Sequence, residues 1–153
     1  MNYTTFLKTE TWSFLLNLNA ATPAQWGVMN AQNMVEHLRM VFALSLGFAQ
    51  ITPFVNEERT RKSYEFIIVQ KNPLPKEVKF KNGFLAEPFP LEFADIEQAK
   101  SELKEAVNAF FERFENQNDL KTLHPVLGML NFEEWQIFHT AHIRHHFEQF
   151  NLL

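Results

Sequence analysis

Three histidines stand within five residues near the end of the chain, in the segment HIRHHFEQF at 142–150. His142 and His146 are four residues apart, so on a helix they lie on successive turns of one face. Two imidazoles in this arrangement can bind one metal ion together, which is the usual chemistry of a His-x-x-x-His spacing. A third ligand must then come from another part of the chain.

His37 is the candidate for that third ligand. It shares the three- and four-residue apolar spacing of Met34 and Val41, which places it on the buried face of a predicted helix. A single histidine in such a stripe is more often a core residue bonded to a carbonyl group. Three inward histidines are costly to bury without partners, and a divalent ion binds three nitrogen lone pairs at once. The sequence therefore favours a three-histidine metal site, with open positions that suit catalysis better than a closed structural site.

Other polar side chains of the last helix are candidates for contacts with these ligands. On a helix each side chain is rotated by about 100° from the one before it. Gln149 and His139 then lie near the face of His142 and His146, whereas His145 lies at the edge of that face. Gln149 is expected to orient a ligand, to bond a metal-bound water, or simply to pair with another buried polar group. His139 is expected either to contact a ligand or simply to pack in the core. His145 is expected beside the ligands or at an interface.

Three further residues have simpler structural explanations. His124 precedes Pro125 in a segment with turn-forming residues, so it is predicted to stabilise a turn. Trp26 and Trp135 are large and apolar, and both are predicted to anchor the hydrophobic core.

Length and composition limit the kinds of protein that this chain can be. Its 153 residues suit one domain, 1–153, and a hydrophobic fraction of 46%, with 17 Phe, is enough for a buried core. A net charge of −4 without a Lys/Arg cluster disfavours nucleic acid as a partner. No signal sequence or bilayer-spanning stretch is evident, so no membrane partner is expected and the chain is predicted to be cytoplasmic. Without cysteine there is no disulfide, cysteine ligand or cysteine nucleophile.

Helix starts can be recognised from capping residues followed by apolar residues at helical spacing. Asp95 with Gln98, and Asn131 with Glu134, have the spacing of a capping box, and Asn30 can cap another helix. The sequence therefore predicts an all-α chain with four helices, over residues 3–18, 30–48, 95–114 and 131–150.

A long insertion separates the second and third predicted helices. It has roughly 45 residues and holds five of the seven prolines, which is too long for a plain connection in a bundle. Its first part, 56–70, is predicted to form a short extra helix. Its second part, 72–90, cannot be a regular helix because proline removes hydrogen-bond donors. We expect this part to wrap over the bundle, either as a lid over a pocket or as a structural crossover without a role in binding.

Two sequence segments resemble a known family of helical proteins. The segments are WGVMNAQNMVEHL at 26–38 and HPVLGMLNFEEWQIFHTAHIRHHFEQF at 124–150. Together they are similar to the DinB-like (DinB/YfiT) superfamily of helical-bundle metalloenzymes, and within it to a subgroup that ends in an HPxxG, W and HxxHHxxQF pattern. Many relatives have Arg-Gly after the double histidine, whereas this chain has Phe147 and Glu148.

The resemblance implies a fold, a metal and a set of ligands. The fold would be an up-and-down four-helix bundle with the proline-rich insertion between helices two and three. His37, His142 and His146 would bind a divalent ion, most often nickel or zinc. The resemblance also implies homodimers and a thiol-dependent transferase reaction, in which the metal directs a low-molecular-weight thiol at a small electrophilic substrate. The departure at Phe147 and Glu148 affects the assignment of the substrate and not of the metal.

Two hypotheses about function follow. The first is a metal-dependent enzyme, either a thiol-dependent S-transferase or a hydrolase that activates water, with no residue that stands out as the general base. The absence of cysteine agrees with a thiol supplied as cosubstrate. The second is a non-catalytic bundle in which the histidines hold a structural ion or form a buried hydrogen-bond network, and the protein serves as a dimerisation or partner-binding module.

Overall fold

The first helix, α1, covers residues 3–15 and changes its winding midway. The computed structural model, which describes residues 1–76 and 89–153, has α-helical Tyr3–Thr5 and Thr11–Leu15 on either side of π-helical Phe6–Glu10. The Thr11 hydroxyl and N–H both donate to the Phe6 carbonyl oxygen, which therefore has two partners across the wider turn. α1 ends at Leu15, three residues before the predicted end, although Leu18 is still buried in the core.

The other long helices begin at the predicted caps. The Asn30 side chain caps α2, Ala31–Ser45, and Asn131 with Glu134 forms a complete capping box at the start of α5, Phe132–Gln149. Asp95 caps α4, Ile96–Phe114, by accepting from the Gln98 N–H. The Gln98 side chain accepts from Ala94 and not from Asp95, so the predicted box at this helix is only half formed.

The predicted extra helix in the insertion is confirmed. This helix, α3, covers residues 57–69, with α-helical Glu57–Tyr64 followed by π-helical Glu65–Val69. The Asn56 side chain caps it by accepting from the Arg59 N–H at 2.9 Å. α3 is held against α5 by the Tyr64 hydroxyl, which donates to the Glu134 carboxylate. This carboxylate raises the pKa of Tyr64 to about 12.

The prediction of an all-α, up-and-down four-helix bundle is wrong. The described residues contain five helices, because α3 is a full helix, and also a small antiparallel sheet. Strand β1, Thr122–His124, pairs with β2, Gly128–Leu130, in the register Thr122↔Leu130 and His124↔Gly128. The turn was predicted, but the strands were not, because three residues are too few for a visible alternation of polar and apolar side chains.

The hydrophobic core lies where α2, α4 and α5 meet. α2 packs along α4, and the aromatic side chains expected from the Phe content fill the space between the helices. Phe42, Phe110 and Phe147 are all almost completely buried, as is Trp135 on α5. Trp26 is only half-buried, so the prediction of two tryptophan anchors holds for Trp135 alone.

The described ends of the insertion are bonded to the helices. Glu36 on α2 accepts from the N–H groups of Glu92 and Phe93, and Gln32 donates to the Phe93 carbonyl oxygen. Residues 77–88, which form most of the predicted wrap or lid, lie outside the described residues. Near the other end, at residues 70–76, the chain approaches the last turns of α5, where the histidines lie.

Candidate metal centre

Helix α5 presents two histidines to the interior because its start and its rotation are both fixed. The capping box fixes the first turn, and Trp135 is fully buried with its Nε1 donating to the Thr122 hydroxyl at 2.7 Å. His142 and His146 lie seven and eleven residues after Trp135, close to whole numbers of helical turns. Both side chains therefore point to the same buried side, toward α2.

Helix α2 presents His37 to the same point. The Nε2 atom of His37 lies 2.9 Å from Nε2 of His142, which lies 3.1 Å from Nε2 of His146. Potential ligand atoms of all three side chains lie within 4.8 Å of one another. The rings meet edge to face, with centroids 4.8 to 5.0 Å apart. Nitrogen ligands of one tetrahedral ion lie about 3.4 Å apart for metal–nitrogen bonds of about 2.1 Å, so the three nitrogens have nearly the spacing of a ligand shell.

Hydrogen bonds within the cluster account for only one of the two close contacts of His142. An imidazole nitrogen offers either one proton or one lone pair, so Nε2 of His142 can make only one good hydrogen bond although two nitrogens face it. A cation between the three atoms would accept every lone pair. Three buried histidines so close together can bind a metal ion.

Burial also sets the charge of the cluster. His37, His142 and His146 are only 6%, 7% and 6% exposed. Burial, reinforced by His145, lowers the pKa of His37 to about 4. Burial and the neighbouring imidazoles lower the pKa values of His142 and His146 well below the usual range. The three rings are therefore neutral at pH 7, which is the state that binds metals.

Gln149 contacts the cluster directly. Its Oε1 lies 2.8 Å from Nδ1 of His146, and its Nε2 donates to the Trp26 carbonyl oxygen at 2.8 Å. Gln149 therefore joins the ring of His146 to a backbone carbonyl group. The part of Trp26 in this contact is its backbone carbonyl group, which leaves no signal in the sequence.

The other two neighbouring histidines do not join the cluster. His145 is half-buried beside Trp26, with ring centroids 6.0 Å apart. Burial lowers its pKa, and the backbone of Leu74 in the insertion opposes this shift. His139 is fully buried and stacks on Phe42, with ring centroids 3.7 Å apart. Neither nitrogen of His139 has a hydrogen-bond partner among the described residues, so His139 packs in the core and bonds no ligand there.

His124 stabilises a turn, as predicted. Its Nδ1 accepts from the N–H groups of Val126 and Leu127, both at 3.1 Å, in the turn between β1 and β2. His124 also lines a cleft of about 620 Å³ between α3 and this hairpin. The cleft is separate from the metal centre, since none of its lining residues belongs to the three-histidine cluster.

The fold and the site together define a helical protein with a small hairpin and a buried three-histidine centre. The chain belongs to the family described as Protein of unknown function (DUF1569), whose model matches residues 15–152. This match includes all three histidines of the cluster. No curated protein and no solved structure matches the chain. No helix among residues 1–76 and 89–153 is both long and apolar enough to cross a membrane.

Proposed function

We propose that the protein is a metal-dependent enzyme in which His37, His142 and His146 hold one divalent ion, nickel or zinc. The observation that carries the proposal is the convergence of three Nε2 atoms from two helices, with neighbouring atoms 2.9 and 3.1 Å apart. Imidazole nitrogen is a good ligand for both metals. The resemblance of the two histidine segments to DinB-like metalloenzymes supports the same ligand set.

The donor set favours catalysis over a purely structural role. Three neutral imidazoles leave a divalent ion with its full double charge and with at least one open coordination position. Structural zinc sites in proteins usually have four protein ligands instead. An anionic group from a substrate would therefore bind favourably in the open position.

The substrate class that we propose is a low-molecular-weight thiol together with a small electrophile. When bound, the ion supplies a Lewis acid that lowers the pKa of a thiol. The chain has no cysteine, so the sulfur must come from a cosubstrate. The protein contributes neutral ligands, a fixed geometry and a largely buried site that keeps bulk water away from the reacting groups.

Metal analysis tests the site itself. Untagged protein purified without chelators is expected to contain about one nickel or zinc ion per chain, measured by elemental mass spectrometry. The variants His37→Leu, His142→Leu and His146→Leu are expected to lose the ion while keeping the circular dichroism of a helical fold. His145→Leu is the matched control and is expected to retain it. Wild-type protein that binds no metal even after incubation with nickel and zinc would refute the proposal.

Thiol titration tests the proposed chemistry. Protein loaded with cobalt(II), a spectroscopic substitute for zinc, is expected to develop a thiolate-to-metal charge-transfer band in the near ultraviolet when 2-mercaptoethanol is added. A metal-loaded protein whose spectrum does not respond to thiols has no exchangeable position. That result would favour a structural ion in a dimerisation or partner-binding module.

A further inference from the structure

The side chain of Gln149 connects a metal-ligand candidate to a distant backbone segment. It lies between Nδ1 of His146, at 2.8 Å, and the carbonyl oxygen of Trp26, at 2.8 Å. A backbone hydrogen bond joins the same two segments, since the Gln25 N–H donates to the Gln149 carbonyl oxygen at 2.7 Å. The loop at residues 25–27 is therefore bonded to the end of α5 by both backbone and side chain.

These two contacts determine where the proton of His146 lies. A backbone carbonyl oxygen can only accept, so the atom of Gln149 that faces Trp26 must be the amide nitrogen. The atom that faces His146 is then the amide oxygen, which also can only accept. Nδ1 of His146 must therefore carry the proton, and in the neutral ring Nε2 keeps its lone pair. Nε2 is the atom that faces His142 and the centre of the cluster.

Gly27 permits the close approach of this loop. A Cβ atom at this position would lie 2.7 Å from Nε2 of Gln149, which is closer than real side-chain contacts allow. The backbone of Gly27 also has φ of +79°, in the left-handed region that favours glycine. Any larger residue at position 27 would displace the amide that faces His146.

We propose that Gln149 is a positioning residue, held by the Trp26 carbonyl group, which fixes His146 in the Nδ1–H tautomer so that its Nε2 lone pair points at the metal centre. The Trp26–Gly27 backbone is thereby a structural part of the site. The consequence for metal binding rests on the proposed function, whereas the tautomer is a property of the protein without metal. Among the described residues Nδ1 of His37 has no partner, so His37 lacks such an orienting bond.

Nitrogen-15 NMR of the histidine rings in the metal-free protein tests the tautomer. Free histidine prefers the proton on Nε2, so a wild-type His146 protonated on Nδ1 is the result expected from Gln149. In Gln149→Leu, Nδ1 of His146 loses its acceptor, and the proton is expected to move to Nε2, next to Nε2 of His142. Gly27→Ala displaces the Gln149 amide without removing it, so the proton of His146 is expected to move to Nε2 in this variant as well.

Metal affinity, measured by competition with a chromophoric chelator, tests the consequence. Gln149→Leu and Gly27→Ala are expected to weaken binding by about 10- to 100-fold, the usual effect of losing a group that orients a ligand. Gln136→Leu is the matched control, because Gln136 is also a buried glutamine of α5 but bonds to Thr4 and lies outside the cluster. It should leave both the tautomer and the affinity unchanged.

The outcomes separate this inference from the proposed function. His146 protonated on Nε2 in the wild type, or an unchanged tautomer in Gln149→Leu, would overturn the inference whatever the metal content. A wild-type protein that binds no metal but has Nδ1–H on His146, with this tautomer lost in Gln149→Leu, would support the role of Gln149 in fixing the tautomer and refute the metal-dependent enzyme. An Nδ1–H tautomer lost in Gln149→Leu without any change in affinity would overturn the positioning role.

Discussion

At the scale of single residues, the unusual feature is how many histidines are buried and how differently their nitrogens are satisfied. His124 accepts two backbone hydrogen bonds, and His146 bonds to Gln149. His139 has no partner for either nitrogen among the described residues, although it is fully buried. A buried polar group without a partner destabilises the folded state, whereas one that bonds the backbone stabilises it.

Replacing His139 is therefore expected to stabilise the protein. His139→Leu removes two unpartnered nitrogens and keeps an apolar side chain of similar volume between Phe42 and Trp135. We expect the free energy of unfolding to rise by about 1–3 kcal/mol, measured by urea denaturation. The loss of ring stacking on Phe42 limits the gain.

His124→Leu is the matched control for this substitution. It leaves the N–H groups of Val126 and Leu127 without their acceptor, and we expect a loss of about 1–3 kcal/mol. A strong destabilisation by His139→Leu, together with weaker metal binding, would contradict the assignment of His139 to the core and indicate that it supports the metal centre.

At the scale of elements, Thr122 joins three parts of the fold. It lies on β1, its hydroxyl donates to the Ser45 carbonyl oxygen at the end of α2 at 2.7 Å, and it accepts from Trp135 Nε1 on α5 at 2.7 Å. Because α2 and α5 carry the three histidines, this junction helps to fix the rotation of both helices relative to each other. The hairpin thus links α2 to α5 through the hydrogen bonds of Thr122.

Thr122→Val tests this junction. The two side chains have nearly the same shape, but valine leaves the Ser45 carbonyl and the Trp135 indole without their partner. We expect the free energy of unfolding to fall by about 2–3 kcal/mol, measured by chemical denaturation.

Thr140→Val is the matched control, because it makes the same replacement at another buried threonine. Thr140 is also buried, but its hydroxyl has no partner among the described residues. The substitution is therefore expected to leave stability unchanged or to raise it. Equal losses in the two variants would show that the bonds of Thr122 do not hold the elements together.

At the scale of the whole molecule, the buried histidines make stability depend on pH. Burial lowers the pKa of His37 to about 4 and that of His124 to about 3, and it lowers the others well below the usual range. The remaining members of this group are His139, His142 and His146. All five are neutral in the folded state at a pH where the unfolded chain already binds protons.

The metal-free protein is therefore expected to lose stability as the pH falls below about 6.5, the usual pKa of histidine. Above that value neither state binds these protons, so stability is independent of them. Between pH 6.5 and the lowered pKa values only the unfolded chain binds them, which favours unfolding by about 1.4 kcal/mol per pH unit for each histidine. Below the lowered pKa values these histidines are protonated in both the folded and the unfolded state, so the free energy of unfolding falls no further on their account.

Urea denaturation at pH 7, 6 and 5 measures this dependence. The triple variant His37→Leu, His142→Leu and His146→Leu should show a shallower slope, because three of the five groups are gone. A wild-type protein with equal stability at pH 7 and 5 would contradict the prediction.

The sequence by itself determined the local parts of this protein. The caps at Asn30 and Asn131 fix where α2 and α5 begin, and a helix start depends on side chains within one turn. Helical periodicity placed His37, His142 and His146 on inward faces, and all three are buried. Both signals involve residues three or four apart, so they can be recognised without knowledge of the fold.

Only the tertiary structure decided how these parts meet. His37 and His142 are 105 positions apart, and Gln149 and Trp26 are 123 apart, so no local pattern specifies either contact. The hairpin cannot be recognised in the sequence, because its three-residue strands are too short to show an alternation and the contacts of Thr122 that hold it come from distant residues. The same burial that brings the three imidazoles together lowers their pKa values, so the chemistry of the site arises from packing that joins distant segments.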